Sequence, residues 1–123
     1  MLESFFNEKT GTVYCKVSDT LESSEIVDFI DGLSQRDDLP NRLKLVVEAV
    51  CDKPLFRTDG WHAIVEANNG LLQKCDFLSQ AIVINQPIDT AFAFYFKTLS
   101  EHPKFFFEVF NSHEAAYDWI LLR

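Results

Sequence analysis

The sequence predicts an α/β fold: a mixed, largely parallel sheet of about five strands with four helices. Two short β-type runs joined by a turn open the chain. Apolar runs of strand length then alternate with segments whose apolar residues recur at helical spacing. One of these runs, LKLVVEAVC, is nearly continuous and apolar, which is typical of a central strand covered on both faces. The predicted order is ββαβαβαβα, in a single domain spanning residues 1–123.

The opening hairpin is predicted from residues 2–7 and residues 12–18, which are joined by EKTG. The glycine and its neighbours supply the chemistry of a tight turn between two β-type runs. Alternation in the second run places three side chains on one side of the strand: Val13, Cys15 and Val17.

The first helix is predicted within residues 19–39, where apolar residues recur at helical spacing. Ser23 or Ser24 can cap its N-terminus, and Pro40 marks the end of the segment. The recurring apolar residues are Ile26, Phe29, Ile30 and Leu33.

The middle of the chain alternates between strand and helix. The apolar run at residues 43–51 predicts the central strand, and residues 60–74 predict a helix after it. A third apolar run covers residues 80–86 and is closed by Pro87. The aromatic run KFFFEVF at residues 104–110 predicts the last strand.

Two further helices complete the prediction. Asp89 or Thr90 opens a helix that extends to residue 99. Asn111 and Glu114 have the spacing of a capping box at the start of the last helix. That helix is expected to bury Ala115, Ala116, Trp119 and Ile120.

Charge and cysteine content narrow the classes of partner and location. The net charge is −8, so phosphate backbones and anionic lipid surfaces are disfavoured, and neither nucleic acid nor membrane is an expected partner. The N-terminus MLESFFNEKTG lacks the features of a signal peptide. The three cysteines are widely spaced, which favours reduced thiols in a cytoplasmic protein. The three scattered histidines predict no metal site, and no cofactor is expected.

An ordered set of features in the second half resembles a known family. They lie in AIVINQPIDTAFAFYFKTL and HPKFFFEVFNSHEAAYDWIL: an apolar strand, a helix rich in phenylalanine, a proline-containing link, an aromatic strand and a capped helix with a tryptophan. This set, and the element order of the whole chain, resemble the STAS domains and especially the small bacterial SpoIIAA-like proteins. The resemblance implies a fold and a regulatory binding role, not a reaction.

The resemblance also bears on the turn between the central strand and the following helix. In STAS regulators this turn carries a D-S-S-G motif whose second serine is phosphorylated. Here the counterpart is RTDG at residues 57–60, so Asp59 stands in the phosphoserine position and Thr58 is the nearby hydroxyl. This departure argues against a kinase switch of the family's kind.

Considered on its chemistry alone, the turn has three possible roles. Asp59 can cap the following helix with its carboxylate. A small anion or a partner can bind where Lys53, Arg57, Thr58, Asp59 and Gly60 meet the helix N-terminus, at the carboxyl end of a parallel strand. Phosphorylation of Thr58 is the third role.

Catalysis is considered at two places and expected at neither. Cys51 and His62 are the one pair of cysteine and histidine close together in the chain, but Cys51 ends an apolar strand, where a thiol is usually inert. Glu48 is a carboxylate inside an apolar run; a general acid or base there needs a second perturbed group, and the sequence identifies none.

The predicted helix at residues 88–99 carries an excess of aromatic side chains. Phe92, Tyr95, Phe96 and Leu99 recur on one face together with Ile88. Core packing, a homodimer interface and the wall of a pocket for an apolar small molecule all explain such a face.

These observations favour a non-enzymatic regulatory module that resembles the anti-sigma factor antagonists. Its expected partner is a protein, or a second copy of the chain in a homodimer. The expected contact surfaces are the turn at residues 52–62 and the helix at residues 88–99. The alternative is a binder of an apolar, lipid-like small molecule in an aromatic-lined pocket.

Overall fold

Residues 1–56 and 60–123 are described by the computed structural model, and they form helices and strands in the predicted order. The order ββαβαβαβα is therefore confirmed. The elements are β1 (Leu2–Asn7), β2 (Thr12–Val17), α1 (Ser23–Ser34), β3 (Arg42–Ala49), α2 (Trp61–Leu72), β4 (Phe77–Ile84), α3 (Pro87–Leu99), β5 (Phe105–Phe110) and α4 (His113–Leu121).

The strands form one sheet in the order β1-β2-β3-β4-β5. β1 pairs with β2 in antiparallel register, and each of the other neighbouring pairs is parallel. The helices α1, α2 and α3 connect the parallel strands, because a parallel pair needs a long crossover rather than a tight turn. The predicted fold class, α/β with a mixed and mostly parallel sheet, is thus confirmed.

Helices cover both faces of β3. Val47 belongs to the larger core, which the sheet forms with α1, α2 and α3, while Val46 belongs to a smaller core under α4. Successive side chains of a strand point to opposite faces, so both faces of β3 must be apolar. This explains why the sequence of β3 is a continuous apolar run rather than an alternating one.

The start of α1 differs from the prediction that Ser23 or Ser24 caps it. The N-cap is Glu22, whose backbone N–H donates to Glu25 Oε2 over 2.9 Å. A glutamate at the third helical position can reach back to the N-cap in this way, and such a pair starts a helix without a serine cap.

The start of α4 is shifted by one residue from the prediction. Ser112, not Asn111, is the N-cap, and its Oγ accepts from the backbone N–H of Ala115 over 3.2 Å. Ala116 and Ile120 are buried as predicted, but the buried face of α4 is narrower than expected, since Ala115 is exposed and Trp119 is half-buried.

β4 and α3 each begin earlier than predicted. β4 starts at Phe77, because pairing with β3 extends down to Arg42. α3 starts at Pro87 with Gln86 as N-cap, and not at Asp89 or Thr90. Proline suits the first helical position, since its fixed φ is helical and the N–H it lacks has no partner there. In the part of the chain that the structure describes, no helix is both long and apolar enough to cross a membrane.

The cysteines are free thiols in different surroundings. Cys15 and Cys75 are buried, and Cys51 is half-buried. Burial raises the pKa of Cys15 to about 12, which keeps this thiol neutral at ordinary pH. Burial also raises the pKa of Cys75. Both side chains therefore act as small apolar packing groups.

Candidate functional site

The segment after β3, residues 50–56, lies at the carboxyl edge of the sheet and is tied to the β4–α3 junction. The backbone N–H of Cys51 donates to Asn85 Oδ1 over 3.0 Å, and the carbonyl of Cys51 accepts from Gln86 Nε2 over 2.7 Å. Farther along, the N–H of Leu21 donates to the carbonyl of Leu55 over 2.7 Å. This edge is where open α/β sheets place ligands, and its backbone is held from two neighbouring connections.

Asp89 is the residue that holds this segment most extensively. Its carboxylate accepts from the backbone N–H of Leu55, with 3.1 Å to Oδ1 and 2.9 Å to Oδ2, and from that of Phe56 at 3.1 Å. Asp89 is fully buried. Its carboxylate therefore supplies the hydrogen-bond acceptors that a neighbouring strand would otherwise offer to the backbone N–H groups of residues 55 and 56.

This role of Asp89 was not predicted, although the sequence carries a signal for it. Asp89 was interpreted as a helix-opening residue, because acidic residues are common in a first turn. The buried side of α3 in fact consists of residues at helical spacing that begins with the aspartate: Asp89, Ala93, Phe96 and Ser100. A carboxylate at the start of that series could have indicated a buried polar group.

The residues predicted for the turn are only partly described. Lys53 is exposed, and Gly60 is the N-cap of α2 with a left-handed φ of 79°. Arg57, Thr58 and Asp59 lie outside the described residues. The anion-binding, capping and phosphorylation interpretations of this turn therefore stay predictions.

The residues considered for catalysis differ in their surroundings. The hydrogen bonds of Cys51 are made by its backbone, and among the described residues none joins its thiol to His62, which is exposed. Within residues 1–56 and 60–123, no group of histidine, cysteine and acidic side chains could hold a metal ion.

Glu48 has partners that the sequence analysis did not identify. Tyr117 donates its hydroxyl to Glu48 Oε1 over 2.9 Å, and His113 Nδ1 lies 3.0 Å from the same oxygen. The ring of Tyr117 also packs edge-on against Tyr14, with 5.9 Å between centroids. Because Tyr117 and His113 belong to α4 and Glu48 to β3, this cluster fastens the start of α4 to the sheet.

The environment of Tyr117 changes its acidity. Burial raises the pKa of Tyr117 to about 12, and the hydrogen bond and negative charge of Glu48 act in the same direction. Both effects disfavour the phenolate: burial removes water, and the carboxylate repels a second negative charge.

We predict that replacing Glu48 with glutamine lowers the pKa of Tyr117 without returning it to the ordinary value near 10, because the burial contribution remains. The measurement is the tyrosinate absorbance as a function of pH, with a Tyr117→Phe variant to assign the signal. Glu108→Gln, which removes a glutamate on the edge strand β5, is the control and should leave the Tyr117 signal unchanged. An unchanged pKa in Glu48→Gln would contradict the contact.

The aromatic residues predicted on one face of α3 divide between the core and the surface. Phe96 is buried, with its ring centroid 5.3 Å from that of Phe107, and Phe92 is half-buried. Tyr95 is 52% exposed and Leu99 is half-buried. The helix therefore has two apolar surfaces, an aromatic one that packs against the core and another that is exposed, whereas a single apolar face was predicted.

The exposed positions of α3 carry no charged residue; its one lysine, Lys97, is half-buried and pairs with Glu108 over 3.1 Å. The exposed apolar residues Ile88, Phe94 and Tyr95 are 53%, 53% and 52% exposed. All the exposed residues of the helix share the same uncharged character: Pro87, Ile88, Ala91, Phe94, Tyr95 and Thr98. A surface helix normally turns its polar or charged side outward, so this face has the composition of a surface that is covered.

Comparison of the chain with protein-family models, with curated proteins and with solved structures gives no match in any of the three. The STAS and SpoIIAA-like resemblance is therefore carried by the residues of the second half and the element order alone.

Proposed function

We propose that this protein is a non-enzymatic regulatory module that binds another protein through the outward face of α3. The observation that carries the proposal is the uncharged, aromatic surface formed by Ile88, Phe94 and Tyr95, each about half exposed. Aromatic residues are enriched and charged residues are depleted in the cores of protein interfaces. Burial of two exposed aromatic rings can also supply the few dominant contacts that most interfaces depend on.

The contrast with the rest of the surface strengthens this proposal. The protein carries 24% charged residues and a net charge of −8. The exposed positions of α1 include Asp28 and Asp31, and those of α2 include His62 and Glu66. Only on α3, among the described helices of the larger core, is the exposed side uncharged. A partner that covers the exposed residues of this face desolvates no charged group among them, which favours association.

The regulatory part of the proposal rests on the resemblance to STAS and SpoIIAA-like proteins. That resemblance implies binding to other proteins rather than a reaction. The free thiols agree with a reducing compartment, so we also propose a cytoplasmic location. The partner is expected to be a different protein, with a second copy of the chain as the other possible occupant of the same surface.

Substitution of Phe94 and Tyr95 together by serine is predicted to abolish the complex. The tagged protein would be isolated gently from the organism that makes it, and the stoichiometry of the co-isolated protein would be measured. The matched control is Phe5→Ser, because Phe5 is 65% exposed but lies on β1. The proposal expects a stoichiometric partner with the wild type and the control, and none with the double variant.

Retention of that partner by the double variant would contradict the proposed surface. Circular dichroism and urea unfolding would show whether the variants are folded. We expect Phe5→Ser to lie within about 0.5 kcal/mol of the wild type. The double variant also loses the edge-on packing of Tyr95 against Trp61, with 6.4 Å between centroids, so it should cost about 1 kcal/mol and still fold.

A further inference from the structure

A cavity of about 80 Å³ lies between the sheet and the helices α1, α2 and α3. Its wall is mostly apolar and includes the side chains Val47, Ile64, Ile82, Phe92, Phe96 and Phe107. Other wall residues, such as Phe56 and Trp61, are only half-buried, so one side of the cavity reaches toward the surface. Tyr95 and Leu99, predicted as pocket residues with Phe92 and Phe96, are not part of the wall.

One buried polar atom in this wall has no partner in the part of the chain that the structure describes. Asn68 is 3% exposed, and its Nδ2 has no hydrogen-bond partner among the described residues. The residue lies on the inward side of α2 between Ile64 and Leu71, where an apolar side chain would be expected. A buried donor without a partner costs about 1–3 kcal/mol, so such a group in a folded protein calls for an explanation.

The charges around the cavity restrict what it can accept. Among the described residues, no lysine, arginine or histidine contributes to the wall. Asp89, the one charged residue in this described part of the wall, already directs both carboxylate oxygens to the backbone N–H groups of Leu55 and Phe56. An anion would meet no counter-charge from these residues, so the described wall favours an uncharged ligand over a carboxylate.

We propose that the cavity binds a small, uncharged, largely apolar molecule with a hydrogen-bond acceptor, and that Asn68 Nδ2 donates to that acceptor. A mostly apolar wall with a few polar groups, here Asn68, Gln80 and Asp89, is the usual composition of a small-molecule site. The volume is about half of the roughly 150 Å³ that holds the six non-hydrogen atoms of benzene in an apolar protein cavity, so the ligand has about three or four non-hydrogen atoms.

The site is built for binding rather than for reaction. The thiol of Cys15 also contributes to the wall, but burial raises its pKa to about 12, so it remains neutral and weakly nucleophilic. The alternative to a ligand is a single buried water molecule that accepts the hydrogen bond from the Asn68 amide. Water needs about two to four polar partners, and a wall this apolar offers few besides Asn68 and Gln80.

Acetone and propane are suitable probes, because they are of similar small size and only the ketone has an acceptor. Binding would be measured by titrating each probe into the folded ¹⁵N-labelled protein. We expect both probes to shift resonances of residues in the cavity wall. Only acetone should shift the side-chain amide resonance of Asn68 strongly. Acetate, which is charged and of comparable size, should not bind.

The Asn68→Leu variant distinguishes the contribution of the hydrogen bond to affinity from the contribution of filling the cavity. The Kd for acetone should rise about fivefold or more in this variant, while the Kd for propane changes less than about twofold. The matched control is Asn69→Leu, which replaces an exposed asparagine at the next position of α2 and should change neither Kd. Asn68→Leu is expected to fold, since it removes a polar group without a partner.

Ala93→Val tests the location, because Ala93 contributes to the cavity wall and a larger side chain reduces the volume. Both probes should bind more weakly to it. The proposal would be overturned if neither probe bound the wild type, or if Asn68→Leu changed the two Kd values by the same factor. Detection of a tightly held water on the Asn68 amide that neither probe displaces would also overturn it.

Discussion

Replacing Asp89 with alanine is expected to lower the free energy of unfolding by about 3 kcal/mol, the largest effect predicted for a single side chain. The substitution leaves the backbone N–H groups of Leu55 and Phe56 without their acceptor. Leu55 is fully buried, so water cannot easily replace the lost carboxylate. The measurement is urea unfolding at pH 7, followed by circular dichroism.

The controls for this prediction lie in the same region. Asp89→Asn keeps one acceptor oxygen and should cost less, about 2 kcal/mol. Asp52→Ala removes an exposed carboxylate from the same segment and should change the free energy by less than about 0.5 kcal/mol. Equal stability of Asp89→Ala and Asp52→Ala would show that Asp89 does not hold residues 55 and 56.

Replacing Gly60 with alanine is expected to cost about 3 kcal/mol, for two reasons. The φ of Gly60 is 79°, in the left-handed region that strains every residue with a Cβ. In addition, a Cβ there would lie 2.2 Å from Ser23 Oγ and 2.6 Å from Ser23 Cβ. The start of α2 approaches the start of α1 so closely that a methyl group between them forces one helix to move.

A second substitution separates the two reasons. Ser23→Gly removes both atoms that a Cβ at residue 60 would meet, so it should recover about half of the loss caused by Gly60→Ala. Gly32→Ala is the matched control, because nothing lies within 4 Å of the added Cβ and the residue is inside α1; it should stabilise by about 0.5–1 kcal/mol. Strictly additive losses for residues 23 and 60 would contradict the close approach.

Much of the fold was predictable because it depends on local periodicity. The continuous apolar run of β3 and the alternation in β2 are properties of single segments, and both strands formed where the patterns indicated. Helix starts were less predictable. Several residues near each helix start have a similar propensity to cap it. The sequence pattern therefore did not identify Glu22 and Ser112 as the caps.

The candidate sites were less predictable, because they depend on contacts between distant segments. Tyr117 meets Glu48 across 69 positions of sequence, so no local pattern identifies the pair. Asp89 looks like any acidic residue in a first helical turn until residues 55 and 56 are placed beside it. Ile88 and Tyr95 share an angular range with Phe92 on a helix, and only packing against the sheet shows which of them face outward.

Native mass spectrometry of the wild-type protein, isolated gently from the organism that makes it, tests the proposed protein-binding role most directly. The account predicts a complex whose mass exceeds the 14.2 kDa of the chain by that of a protein subunit, and loss of that subunit when Phe94 and Tyr95 are both replaced by serine. A bare chain of 14.2 kDa under these conditions would contradict the account, and so would a complex that survives the double substitution.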